Sequence, residues 1–288
     1  MRNDWEHNFV IGRVHIAFQR KIDFKEEKSF EGKMFDFISK SEGYVEKNRK
    51  GIEKAIWVFG NVSKQNIDGE DVFYGRFGKL KGTTKETLYD KKTRNFIEEN
   101  RVKQLAQSYS NFVIHTKTQT IIFEERRPDI RIEKFVKIFE KSYLSYSPDL
   151  TALTIRLMVE EGRVFDLLKD KKVVRVTFQL IPSNPDDREI FKRLDEMFHK
   201  SGIEDGKMQF DNPEGLNVQA EGGIVREAIG LSDAGYGAYK ARVEGEGTQT
   251  ISSKDNIIKE TIPLKKSDNL VKILLTRFKK YLKGEEKK

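Results

Sequence analysis

Hydrophobic and polar positions alternate along much of this chain, and where the alternation stops a helical period takes over. Residues 8–19 (NFVIGRVHIAFQ) set Val10, Val14, Ile16 and Phe18 on one face, the period-two pattern of a strand. A helical spacing follows over Phe30–Ile38. AIWVFGNV (55–62) and VFYGRFGKL (72–80) predict two strands around the turn-rich stretch Ser63–Asp71. FVIHTKTQTIIFE (112–124) predicts a hairpin closed by a short polar turn, whereas Thr83–Asn100 fits neither period.

Arg131–Tyr146 carries Ile132, Phe135, Val136, Phe139 and Tyr143 on one stripe, which predicts a long amphipathic helix. ALTIRLMV (152–159) and VVRVTFQLI (173–181) read as strands, with a short helical turn at Phe165–Lys169. SNPDD then opens a helix. Ser183 or Asn184 caps it, Pro185 suits its first turn, Asp186 and Asp187 complement its dipole, and Gly202 ends it after His199. Ser201–Gly223 has no period and is predicted as a long loop. Ile224–Ile229 is a short helix ended by Gly230, Gly237–Glu244 a strand followed by a Gly-Glu-Gly turn, and 256–263 the last strand.

Leu270–Lys283 (LVKILLTRFKKYLK), capped by Ser267 or Asp268, combines two faces. Leu270, Val271, Leu274, Phe278 and Tyr281 form an apolar one; Lys272, Arg277, Lys279, Lys280 and Lys283 form a purely cationic one. Such a helix docks on its own domain, on an anionic polymer or on an anionic membrane surface.

Strand–helix–strand units and hairpins within one chain predict the α+β class: a mostly antiparallel sheet with packed helices, arranged as two ferredoxin-like halves. Pro148 stops the long helix, so the division is expected there, with an N-terminal α+β domain over 1–149 and a C-terminal α+β domain over 150–288. In 288 residues, 20 Phe and 9 Tyr supply enough apolar area for a core without metal or disulfide.

The chain has no Cys, which removes disulfides, thiol nucleophiles and thiolate metal sites. Its first residues, MRNDWEHNF, are polar, and no run approaches 18 apolar residues; a cytoplasmic protein without a membrane span is expected. The net charge of +8 is unevenly spread: +7 over residues 1–200, −5 over 201–250 and +6 over 251–288. A basic balance near pI 9.3 favours a nucleic-acid partner.

Several stretches carry candidate chemistry. In Val72–Lys81, Phe73, Phe77, Lys79 and Lys81 share a face by strand parity, so bases could stack on the rings while lysines neutralise phosphate; a strand Phe is more often core. EERRPDIR (124–131) sets Arg126, Arg127 and Arg131 at a strand-to-helix corner suited to a phosphate, with its own glutamates at hand to neutralise it. Glu124 and Arg126 have the spacing of a metal-nuclease Glu-x-Lys, but with Arg in place of Lys. No phosphate-binding Walker loop, dinucleotide fingerprint, Gly-x-Ser-x-Gly elbow or His-Glu-x-x-His helix occurs, and no cofactor is expected.

Gly235-Tyr-Gly237 and Gly245-Glu-Gly247 bracket a basic strand with Lys240 and Arg242. This resembles the glycine-rich loop of the ferredoxin-like RNA-processing proteins of CRISPR systems, and that resemblance nominates His15 as a general base. Over a longer span, FVIHTKTQTIIFEERRPDI, a long amphipathic helix, and GYGAYKARVEGEG with ISSKDN downstream resemble uncharacterised prokaryotic proteins encoded near phage-defence and mobile-element genes. This second resemblance implies a context of antiviral defence and no active residues.

The reading these features favour is a nucleic-acid-binding protein. Phosphate contacts are expected from Arg76, Lys79, Lys81, Arg126, Arg127, Lys240, Arg242, Lys279 and Lys280, with DNA and RNA both open. A metal-independent endoribonuclease using His15 is the alternative. A third reading is an interaction module or homo-oligomer, in which the acidic 201–250 block meets the basic tail.

Overall fold

A computed structural model of the chain describes residues 6–16, 29–81, 84–90, 95–101, 106–147, 152–183, 189–245, 247–265 and 268–282. In chain order the first unit comprises β1 (Glu6–Ile16), α1 (Phe30–Lys40), β2 (Tyr44–Lys47), β3 (Glu53–Ile67), β4 (Glu70–Lys81), β5 (Thr84–Asp90), β6 (Asn95–Arg101), β7 (Ala106–His115), β8 (Thr120–Glu125), α2 (Ile132–Tyr146) and β9 (Leu153–Leu157). A second unit follows with α3 (Arg163–Leu168), β10 (Lys172–Leu180), α4 (Lys192–Ser201), β11 (Gly206–Asp211), α5 (Ile224–Leu231), β12 (Gly237–Gly245) and β13 (Gly247–Ser252). The chain then returns to the first unit through β14 (Lys259–Pro263), α6 (Leu270–Arg277) and α7 (Lys279–Leu282).

The large sheet has the order β14-β1-β8-β7-β4-β3-β2, and β9 also pairs with β1. Both β14 and β9 lie along the same edge of β1: Glu6–Val10 face Pro263–Lys259, and Gly12–Ile16 face Leu157–Leu153. The small sheet runs β11-β10-β12-β13, and β5 pairs with β6 alone.

The expected α+β class and antiparallel sheets are what the chain adopts. The ladders between described strands are all antiparallel, as in a ferredoxin-like half; in the large sheet β9-β1-β8-β7, linked through α1 and α2, have that fold's strand order, whereas the small sheet, β11-β10-β12-β13, does not. The division expected at 149/150 also falls elsewhere. β9 and β14 both lie beyond it and both belong to the large sheet, so the second unit is an insert between them. Residues 158–159 and 257–258 form its neck: Val159 and Ile257 form an antiparallel bridge, and the amide of Ile258 donates to the carbonyl of Met158 at 2.9 Å.

Both faces of the large sheet are covered. On the inner face, Val10, Val14, Phe73, Phe77, Phe112, Ile114 and Phe123 pack against Met34 and Phe37 of α1 and Phe135, Phe139 and Tyr143 of α2. Aromatic rings dominate this layer. Phe123 stacks on Phe135 at 4.1 Å, and Phe139 meets Phe37, Phe59, Phe77 and Phe112 edge-on within 6 Å. Phe73 and Phe77 are fully buried here, which settles them as core rather than as platforms for bases.

On the outer face, Phe9, Ile11, Val72, Val113 and Ile122 pack against Val271, Leu274, Phe278 and Leu282 of α6 and α7. The apolar face of the C-terminal helix therefore docks on its own domain. Asn269 caps it by accepting from the Lys272 amide at 3.1 Å, and the helix breaks at Phe278. Lys272 of this helix forms an ion pair with Asp68 at 3.3 Å, in the β3–β4 turn. Among the described residues no helix is long and apolar enough to cross a membrane.

Strands lie where none was predicted: β2, then β5 and β6 in the stretch that fits neither period, and β11 and β13. β11 occupies the aperiodic 201–223 stretch: its half-buried Met208 and Phe210 alternate with exposed residues and pair along β10. β13 follows the Gly-Glu-Gly turn and pairs with β12. Phe18, Pro148, the Asn184–Asp187 part of the SNPDD cap, Ser267 and Lys283 lie outside the described residues.

Gly235 is explained by packing between the units and Gly237 by packing against β10 within the second unit. Gly235 adopts φ +87, and a Cβ there would meet Arg13 Cγ at 2.6 Å; one at Gly237 would meet the Gln179 carbonyl oxygen at 2.7 Å. Arg13 reaches across, donating from Nε to the Ala234 carbonyl at 3.2 Å, with its guanidinium 5.0 Å from the Tyr236 ring centroid.

Phe139→Ala, which empties the centre of the inner layer, is expected to cost about 3–5 kcal/mol in urea unfolding. Gly235→Ala, strained in backbone and crowded by Arg13, is expected to lose at least about 1–2 kcal/mol in the same measurement.

Candidate nucleic-acid interface

The outer face of the large sheet has an apolar middle and two polar ends. Strand parity sets the first end: His7 on β1, Glu124 on β8, Tyr109 and Asn111 on β7, and Tyr74 and Arg76 on β4 all point outward, as does Arg126 just past β8. The register brings the strand residues side by side, with Phe9 opposite Glu124, Arg76 opposite Asn111 and Gly78 opposite Tyr109.

Glu124 is the hub of this end. Its side chain is 1% exposed, and a buried carboxylate is costly unless it is paired and hydrogen-bonded. Here Oε1 lies 2.5 Å from His7 Nδ1 and 2.6 Å from Arg126 Nε, while Oε2 accepts from Asn111 Nδ2 at 2.6 Å. The Tyr74 hydroxyl in turn donates to Asn111 Oδ1 at 3.1 Å.

Above this hub sits Tyr109, 38% exposed. The Arg76 guanidinium lies 4.6 Å from its ring centroid and that of Arg126 5.6 Å, so two cations share one ring. Burial works against the charge of Arg76, but Tyr74, Tyr109 and Glu124 more than offset it and hold its pKa above the ordinary arginine value. Two like charges at one ring repel each other, and an anion that reaches both relieves that repulsion while gaining charge-assisted hydrogen bonds.

The nine cations expected to contact phosphate do not form one patch. Arg76 and Arg126 meet at Tyr109. Lys79 lies 3.8 Å from Asp129, and Arg127 Nε 2.8 Å from Glu125. Lys81 ends β4, and its side chain lies outside the described residues. Lys240 and Arg242 are exposed on the small sheet, opposite Thr177 and Arg175. Lys279 and Lys280 are exposed on α7, with Lys280 4.6 Å from the Tyr281 ring. His15, nominated as a base, lies within β1 opposite Thr154, eight residues and roughly 26 Å along the strand from His7.

Sequence reasoning missed His7, Tyr109, Asn111 and Tyr74. Each has the parity of an outward residue, but what assembles them is the order β1-β8-β7-β4, which parity does not reveal.

A family model described as "Domain of unknown function (DUF4747)" matches residues 22–283. The chain belongs to the DUF4747 family. Its uncharacterised standing agrees with the family resemblance read from the sequence. Within this DUF4747 chain, Tyr74, Arg76, Tyr109, Asn111, Glu124 and Arg126 fall inside the matched span, and His7 precedes it. A search of the curated proteins found no match.

Two other polar clusters have structural roles. At the opposite end of the outer face, His115 is buried; its ring nitrogens lie 2.7 Å from Thr118 Oγ1 and 3.0 Å from Glu70 Oε2. In the insert, the Ser183 hydroxyl donates to Asp195 Oδ2 at 2.6 Å, and His199 Nε2 lies 3.2 Å from the Ser183 carbonyl oxygen. That trio has the residue types of a catalytic triad, but the serine hydroxyl is held by the carboxylate and the imidazole meets the serine's backbone carbonyl instead. Among the described residues no group of three or more His, Asp or Glu stands where it could hold a metal ion.

The pH dependence of stability follows from His115. Burial lowers its pKa, Glu70 opposes that in part, and Arg13 and Lys117 lower it further. The unfolded chain therefore takes up a proton before the folded one does. Stability is full above the unfolded histidine value of about 6.5 and is lost as pH falls below it. In melts from pH 8 to pH 5, His115→Gln is expected to have a flatter profile than the wild type, although its Tm at pH 8 is lower.

Proposed function

We propose that the chain binds nucleic acid at the Arg76–Tyr109–Arg126 site. The observation that supports this is the pair of guanidiniums held over one half-exposed tyrosine ring and anchored from below by a buried carboxylate. Guanidiniums are suited to a phosphodiester, whose oxygens accept their paired N–H groups. The exposed part of the Tyr109 ring suits a base or sugar next to that phosphate. Glu124 fixes Arg126 in place, so less side-chain entropy is lost on binding than at a free surface arginine. Lys79 and Arg127, each facing an acid, are not part of this reading.

The resemblance to proteins encoded near phage-defence genes supplies a setting in which such a ligand is met, the nucleic acid of an invader. Antiviral defence is accordingly the role we attach to the site.

The test is fluorescence anisotropy with labelled single-stranded RNA and DNA oligonucleotides across a salt series. The expected result is an affinity that falls steadily from 50 to 200 mM salt, with a slope set by the few phosphates neutralised. Arg76→Ala combined with Arg126→Ala is expected to weaken binding at least about tenfold, a loss on the order of 1.4 kcal/mol. Lys79→Ala combined with Arg127→Ala is expected to leave it within about twofold, because each of those cations faces its own carboxylate, whereas Arg76 and Arg126 share Glu124. No binding at 50 mM salt, or equal loss in both double variants, overturns the proposal.

A further inference from the structure

We infer that the same site cleaves RNA, with His7 as the general base. The inference rests on the binding reading above and adds a reaction to it.

The argument begins with the imidazole. His7 Nδ1 lies 2.5 Å from Glu124 Oε1, and a carboxylate at that distance holds the ring with its proton on Nδ1. The other nitrogen, Nε2, is then the basic one, and no described residue forms a hydrogen bond to it. Glu124 is fixed by Asn111, so the ring orientation is set by two buried side chains. The His7 side chain is itself 18% exposed, enough to meet a ligand. This is the arrangement in which a third group orients a base.

The second element is proximity. His7 and Arg126 contact the same oxygen of Glu124, so a phosphate on Arg126 lies within reach of the imidazole. Arg76, at the same Tyr109 ring, adds a second positive charge. Two guanidiniums and one positioned base provide proton removal and stabilisation of a more highly charged phosphorus centre, and they provide no nucleophile. RNA carries its own in the 2′-hydroxyl next to each phosphate, and DNA does not.

The step balances without a further reagent. Nε2 of His7 takes the 2′-hydroxyl proton, the 2′ oxygen forms a bond to phosphorus, and the bond from phosphorus to the 5′ oxygen breaks. The 5′ oxygen takes a proton from water, and the hydroxide left behind takes the proton held by His7. The products are a 2′,3′-cyclic phosphate and a 5′-hydroxyl end. Glu124 acts through His7 as a positioning residue.

The experiment incubates the full chain with end-labelled single-stranded RNA, with the same oligonucleotide 2′-O-methylated, and with DNA, and follows anisotropy and product ends in parallel. Cleavage of the RNA alone to cyclic-phosphate ends is expected. His7→Ala and His7→Gln are expected to lose about 10²–10⁴-fold in rate while affinity stays within about threefold. Added imidazole is expected to restore part of the His7→Ala rate. Glu124→Gln, which keeps the shape of the side chain but not the charge facing Nδ1, is expected to lower kcat more than it raises KM, a split that a purely structural role would not produce. RNA that binds and stays intact from pH 5 to pH 9 overturns the inference and leaves the binding reading standing. Equal cleavage by wild type and both His7 variants, or cleavage of the methylated strand, also overturns it. Failure to bind any oligonucleotide overturns both.

Discussion

Strand β1 is the constraint on which the rest depends. It is an interior strand with both faces buried: Phe9 and Ile11 look outward under the C-terminal helix, and Val10 and Val14 look inward to the aromatic layer. It pairs with β8 along one edge, and β9 and β14 divide the other between them. Because β9 precedes the insert and β14 follows it, one strand gathers chain segments almost 250 residues apart. Sheet pairing of that span is a slow, high-separation event, and the apolar run Phe9–Ile11 on both faces supplies its driving force.

The location of the candidate site follows from what covers the outer face. α6 and α7 close the apolar middle. The insert closes one end, where Arg13 reaches Ala234 and Tyr236. The end left accessible is the one at which Glu124 is buried, so the charges that Glu124 organises face solvent rather than another element. A buried carboxylate in this position is a burden to folding unless its partners are held as they are, and the same holding makes His7, Arg76 and Arg126 rigid at the surface.

Much of the fold was legible from periodicity. α1, α2, the β3–β4 and β7–β8 hairpins and the docking helix all follow from apolar spacing, because each buries one face against a single neighbour. Asp68 and Gly69 both take positive φ in the β3–β4 turn, a tight-turn preference written in the dipeptide. β11 escaped because it is short and pairs with β10 across the intervening α4, and β13 because GTQTIS carries almost no apolar alternation of its own. The site was half legible. Arg76 and Arg126 stood out among basic and aromatic neighbours, but Tyr109 and His7 did not, since nothing local distinguishes them from other strand residues. Lys240 and Arg242 were drawn in by flanking glycines whose role is close packing.

The neck at Val159 and Ile257 makes the insert a detachable module. Its entrance and exit are hydrogen-bonded neighbours, so the framework sheet presents the same edge whether the intervening chain is long or short. Lineages can therefore exchange or resize this cassette while conserving the framework. Insert and framework are joined at the neck, where the Val159 amide donates to the Asp233 carbonyl at 3.0 Å, and by the arginine that reaches across.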